Sequence, residues 1–203
     1  MTKVICPGSF NPVTRGHVNV FERCSRLFDE VVVVVMHNAA KTYHVSAQQR
    51  VDWIEQSVAH LPNVRVDACG GLLAEYAVQC GAKFIVKGVR DAADMVVETQ
   101  MYYANREASQ GQVDTLLLPT QEEFVYLSSS IVRDVASYGG DISAFVPPVI
   151  LEQVAKAFEG KKVHPDVNTL IVPASREVLD QMEERGWCKI IRDAGATVLN
   201  PGC

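Results

Sequence analysis

Apolar residues in this chain come in short unbroken runs separated by longer stretches of helical period. Residues 31–36 are five valines and a methionine without alternation, the pattern of a strand buried on both faces of a parallel sheet. Residues 4–6, 64–66, 83–86 and 113–118 read as further strands, the last ended by Pro119. Between them lie predicted helices at about 16–28, 46–60 (with Val51, Ile54 and Val58 on one face), 72–79 and 92–109, and two more follow at 128–137 and 148–159. Gly81 and Gly111 stand where two of these helices should stop, and Ser46 where one should start. Strands alternating with helices predict an α/β fold: a Rossmann-like, doubly wound parallel sheet of five strands with helices on both faces.

In such a sheet, ligands sit outside the carboxyl ends of the strands. The loops there are therefore the informative ones, and each carries polar chemistry. The first is Pro7-Gly8-Ser9-Phe10-Asn11-Pro12-Val13-Thr14-Arg15-Gly16-His17, in which Thr14 should cap the helix and place His17 in its first turn. Unpaired N–H groups and partial positive charge at a helix start attract anions. The second loop is His37-Asn38-Ala39-Ala40-Lys41, the third Lys87-Gly88-Val89-Arg90, and the last leads to Ser128-Ser129-Ser130. Each has an ordinary reading: Lys41 as a solvated lysine, Lys87 and Arg90 as helix-flanking charges, Glu98 as a surface carboxylate, the serines as caps. Their convergence on one rim favours a polyphosphate site.

Other chemistries lack their signatures. No G-x-x-x-x-G-K-[ST] loop, G-x-G-x-x-G turn or G-x-S-x-G elbow occurs, and His17, His37, His44 and His60 show no metal-ligand spacing with the cysteines. Phosphate donors without a protein nucleophile indicate transfer by positioning and charge stabilisation, the substrate bringing its own nucleophile.

Composition narrows the setting. The 203 residues suffice for one α/β domain with an appendage, and 48% hydrophobic content suits a globular protein. A net charge of -5 argues against a nucleic-acid footprint, which needs a basic face, but permits an anionic small molecule. Six cysteines without a C-x-x-C pair, no signal peptide and no membrane-length apolar run lead us to expect a cytoplasmic protein with free thiols, bound to neither nucleic acid nor membrane.

Thr14-Arg15-Gly16-His17 resembles the T-x-G-H signature of the nucleotidyltransferase superfamily, and Leu127-Ser128-Ser129-Ser130-Ile131-Val132-Arg133 resembles its second signature. Within that superfamily several features are similar to the bacterial phosphopantetheine adenylyltransferase family over residues 1–160. They are the run from Pro7 to Pro12, Lys41 before Gln49-Arg50, Lys87-Gly88-Val89-Arg90 with Asp94 and Glu98, Gln100-Met101, and Asn105. The resemblance implies transfer of the adenylyl group of ATP to 4'-phosphopantetheine with Mg2+, in a homohexamer. It assigns catalysis to Ser9, His17, Lys41 and Arg90, with no protein metal site. It assigns ATP binding to Ser9, Phe10, His17, Gly88, Val89, Arg90, Glu98, Phe124, Val125, Tyr126, Leu127, Ser128, Ser129 and Ser130. It assigns the acceptor to Ser9, Lys41, Leu73 and Lys87. The chain departs from the family at Lys87 (commonly Arg), Asn11 (commonly Asp), Met95-Val96-Val97 and Phe124-Val125-Tyr126. Two other readings stay open: an acceptor such as nicotinate mononucleotide or glycerol 3-phosphate, or a non-catalytic nucleotide-binding module.

Residues 161–203 fall outside that pattern and should form a small β-α-β-like appendage: a strand at 170–172, a helix at 175–185 and a strand at 196–199. Val172-Pro173-Ala174-Ser175-Arg176-Glu177-Val178, Asp193-Ala194-Gly195-Ala196 and Asn200-Pro201-Gly202-Cys203 resemble a fragment of the aconitase superfamily's large subunit. There the final cysteine would lead into an iron–sulfur ligand set. With a single such cysteine here we expect neither a cluster nor hydro-lyase activity. A gene fusion, an engineered chimera and a natural remnant all fit.

Overall fold

Five parallel strands form the sheet expected from the sequence, in the order β3-β2-β1-β4-β5. They are β1 (Lys3–Gly8), β2 (Glu30–Met36), β3 (Val64–Cys69), β4 (Phe84–Val89) and β5 (Asp114–Pro119). The helices between them are α1 (Arg15–Leu27), α2 (Ala47–Ser57), α3 (Leu73–Gln79) and α4 (Ala92–Ala108). The structure, a computed structural model, describes residues 1–37, 45–138, 140–164, 169–171, 173 and 176–200. It divides into two compact units, Met1–Leu127 and Ser128–Cys203.

The first unit is built on β2. Val31 to Val35 are all essentially inaccessible, which explains the unbroken apolar run: β1 and β3 flank its edges in the sheet, while α1 and α2 pack against it and Val32 and Val34 share a core with Ala77 of α3, so both faces are covered. Ile5, Val32, Val34, Ala77, Ala82, Ile85 and Val113 form one apolar core, and Leu73 packs against it from the start of α3. Strand order reverses at β1, whose neighbours are β2 and β4, so the switch point lies between β1 and β4.

Two strands run further than the sequence pattern indicates. Pro7 and Gly8 belong to β1, in register with Val34 and Val35. Lys87, Gly88 and Val89 belong to β4, in register with Leu117, Leu118 and Pro119; only Arg90 lies beyond the strand. A Lys and a Gly interrupt the apolar run and so read as loop, but the ladder with β5 carries the strand through them. The loop after β5 contains a short 3-10 turn, Glu122–Phe124.

The second unit contains α5 (Ser129–Ser137), α6 (Pro148–Phe158), β6 (Leu170–Ile171), α7 (Arg176–Glu184), α8 (Trp187–Asp193) and β7 (Thr197–Val198). β6 and β7 pair in parallel. The expected β-α-β is therefore β-α-α-β, and α8 is an addition. Ala155 of α6 shares an apolar core with Leu179, Met182, Trp187, Cys188, Ile191 and Ala196. Residues 161–203 thus complete their core with the helix that precedes them. No described helix is long and apolar enough to cross a membrane.

Candidate active site

At the end of β1 the chain turns sharply. Phe10 adopts φ 43°, a left-handed conformation that a bulky residue takes only when held there. Its ring is buried and meets Phe21 and His17 edge-on, with centroids 5.5 and 5.1 Å apart. The ring lies over Gly8, where a Cβ would come within 2.7 Å of it. Gly8 is therefore fixed by a close approach.

Thr14 caps α1 as the sequence indicates. Its hydroxyl accepts from the His17 N–H at 3.3 Å, and its own N–H donates to His17 Nδ1 at 3.0 Å. The motif is a capping box with histidine where glutamate or glutamine is usual. Gly16 leaves room for the 124–127 segment: a Cβ there would stand 3.4 Å from Phe124 Cβ and 3.8 Å from Leu127 Cβ. α1 also holds the stretch before that segment, through Asn19 Nδ2 donating to Gln121 Oε1 and Arg23 Nη1 donating to the Pro119 carbonyl at 2.6 Å.

The cations approach from β4. Arg90 makes a bidentate pair with Asp94, Nε to Oδ2 at 2.8 Å and Nη2 to Oδ1 at 3.0 Å. Its Nη1 donates to the Leu127 carbonyl at 3.1 Å, binding β4's end to the last residue before Ser128. The guanidinium hydrogen bonds hold the Asp94 carboxyl below the usual carboxylate range. Lys87 Nζ lies 3.0 Å from Glu98 Oε1, both side chains being largely shielded. Gly88 serves packing against α1, since a Cβ there would stand 3.1 Å from Val20 Cγ2.

These cations act on His17. Burial, then the positive charges of Arg90 and Lys87, lower its pKa from 6.5 to about 4. The imidazole is neutral at pH 7, and because Nδ1 accepts from Thr14, the ring's remaining proton sits on Nε2. The result is a fixed, uncharged N–H donor beside two cations at a helix start. That arrangement can bind a phosphate oxygen without a metal cage, and among the described residues no group of three or more His, Cys, Asp or Glu side chains could hold a metal ion.

Of the expected site residues, the first unit brings together Phe10, His17, Lys87, Gly88, Arg90, Glu98, Phe124 and Leu127 through the contacts above. Ser9 joins them through its carbonyl, which accepts from Arg50 Nη1 at 2.5 Å. Val89 is buried, whereas Val125 and Tyr126 are exposed. Leu73 is half-buried against the core. Ser128 caps α5 by accepting from the Ile131 N–H at 3.1 Å, and Ser129 and Ser130 open that helix in the second unit. Lys41 lies outside the described residues. Sequence reasoning gave no site role to Arg50, Asn19 or Arg23, because polar types on a helix do not by themselves reveal which loop they will hold.

Comparison with known proteins matches this geometry. A cytidylyltransferase-like family model covers residues 5–135, and an aconitase family (aconitate hydratase) model covers residues 149–203. The phosphopantetheine adenylyltransferase of Herpetosiphon aurantiacus is 45% identical over 159 residues, 78% of this chain and 96% of that protein. Those of Lachnoclostridium phytofermentans and Finegoldia magna are 42% and 41% identical, over 96% and 98% of their lengths. Among solved structures, the nicotinic acid mononucleotide adenylyltransferase of Plasmodium falciparum superimposes with a TM-score of 0.56 over 77% of this chain and 95% of that one. At 15% identity that likeness concerns the fold alone. The loop after β1, the His17 cap and the close relatives agree: the chain belongs to the phosphopantetheine adenylyltransferase family.

Proposed function

We propose that this protein transfers the adenylyl group of ATP to 4'-phosphopantetheine, giving dephospho-coenzyme A and pyrophosphate. The observation that carries the reading is the Thr14 N–H donating to His17 Nδ1, which presents a neutral Nε2–H donor beside Arg90 and Lys87. Such a donor suits charge that builds on the α-phosphate oxygens as the acceptor's phosphate attacks. The attacking oxygen belongs to the acceptor, so no protein nucleophile is required. Ser9 and Lys41 orient that acceptor phosphate. Arg90, freed in part from Asp94 or sharing it, holds the triphosphate, while Glu98 and the 124–127 segment take the nucleoside end. Leu73 and Lys87 face the pantetheine arm.

Mg2+ belongs to this reading as the companion of the triphosphate, neutralising its charge. In this reading the ion is held mainly by phosphate oxygens and water, its usual habit. The catalytic part is residues 1–160 and the appendage 161–203, working as a homohexamer. Exposed apolar residues along α4 (Met95, Val96, Val97 and Met101) offer a surface that assembly would bury. Mass-spectrometric identification of the product from ATP and phosphopantetheine tests the reading: dephospho-coenzyme A supports it, and unreacted substrates reject it.

A further inference from the structure

We propose that Arg50 is a positioning residue of the phosphate loop, holding the Ser9–Phe10 peptide so that the Phe10 N–H faces the nucleotide. The inference rests on the adenylyl-transfer reading. Arg50, on α2, is only 2% exposed and is among the largest fully buried side chains. Its Nη1 donates to the Ser9 carbonyl at 2.5 Å and its Nε to the Ser46 carbonyl at 3.4 Å. One guanidinium thus joins the loop after β1 to the cap of α2. A buried guanidinium costs more than an apolar side chain of similar volume unless its hydrogen bonds do specific work.

The work lies in the next peptide. Carbonyl and N–H point in opposite directions across a trans peptide. With the Ser9 carbonyl turned toward Arg50, the Phe10 N–H turns away from it. Among the described residues that N–H has no hydrogen-bond acceptor. Phe10 stays in its φ 43° conformation because it is held at two points, its ring under His17 and Phe21 and its leading carbonyl by Arg50. A preset donor with no acceptor among the described residues is suited to a phosphate oxygen. Arg50 also adds positive potential beneath the loop.

The test compares kinetics of the wild type with Arg50→Met and Arg50→Lys, and adds a spectroscopic measurement on the wild type alone. Arg50→Met should raise KM for ATP about tenfold or more, the effect of losing one charge-assisted hydrogen bond. Arg50→Lys should recover part of the loss. Arg50→Met with all constants equal to wild type overturns the proposal. Should that variant fail to fold, wild-type protein labelled with 15N-phenylalanine decides. On adding a non-hydrolysable ATP analogue, Phe10 should show the largest downfield amide shift of the seven phenylalanines, and an unmoved Phe10 amide rejects the proposal. Failure of wild-type turnover would instead count against the adenylyl-transfer reading, while the amide measurement still tests Phe10.

Discussion

Thr14 and His17 close on each other across one helical turn: the Thr14 N–H donates to His17 Nδ1 at 3.0 Å while the Thr14 hydroxyl accepts from the His17 N–H at 3.3 Å. The pair caps α1 and at the same time fixes which ring nitrogen carries the proton. Protonating Nδ1 would break the cap. This has a measurable consequence, because an unfolded histidine titrates near 6.5 and the folded one near 4. Between those values the unfolded chain binds the extra proton, so His17 makes stability fall as pH falls through that window. From pH 7 to pH 5 the contribution is about 2 kcal/mol. Urea unfolding at both pH values should show His17→Gln losing less stability than wild type; equal losses in the two proteins contradict the assignment.

His17→Ala removes the donor without disturbing the sheet. Turnover should drop about 100-fold or more, in line with one preorganised donor worth ~3 kcal/mol. Circular dichroism should be unchanged. Near-normal turnover in this variant would take His17 out of the mechanism.

Gly8→Ala tests the close approach at the end of β1. A methyl group 2.7 Å from the Phe10 ring must displace that ring or the strand. Overpacking of this kind costs about 1–3 kcal/mol. Denaturant unfolding should show a loss in that range. A variant as stable as wild type would mean the Phe10 ring does not rest on Gly8.

Much of this was legible in the sequence, for physical reasons that differ by site. The valine run of β2 could be read because a strand covered on both faces needs no polar position, and Thr14 because capping chemistry is local. Gly81 and Gly111 end their helices at φ 70° and 73° as glycine permits. The contact of Arg50 could not be read, since an arginine on an amphipathic helix looks solvated until the loop it touches, 41 residues earlier, is in place. Lys87 and Glu98 were each legible as site residues, but their 3.0 Å pairing depends on how α4 packs on β4. α8 was missed because it is seven residues long, starts without a side-chain cap after Gly186, and shares no long apolar period.

The appendage offers its own test. Ile191 of α8 is 1% exposed in the core that Ala155, Leu179 and Trp187 share. Ile191→Ala should cost about 2–5 kcal/mol, the range for a large-to-small change in a packed core. Hydrogen exchange should show the loss as faster exchange in α7 and α8. Unchanged protection there would mean that residues 161–203 do not form the core described.

The most direct measurement is pyrophosphate release from ATP, followed with phosphopantetheine, with nicotinate mononucleotide, with glycerol 3-phosphate and with no acceptor. Rapid release is expected with phosphopantetheine and background release in the other three. No release with phosphopantetheine, or faster release with either of the other acceptors, contradicts the adenylyl-transfer reading.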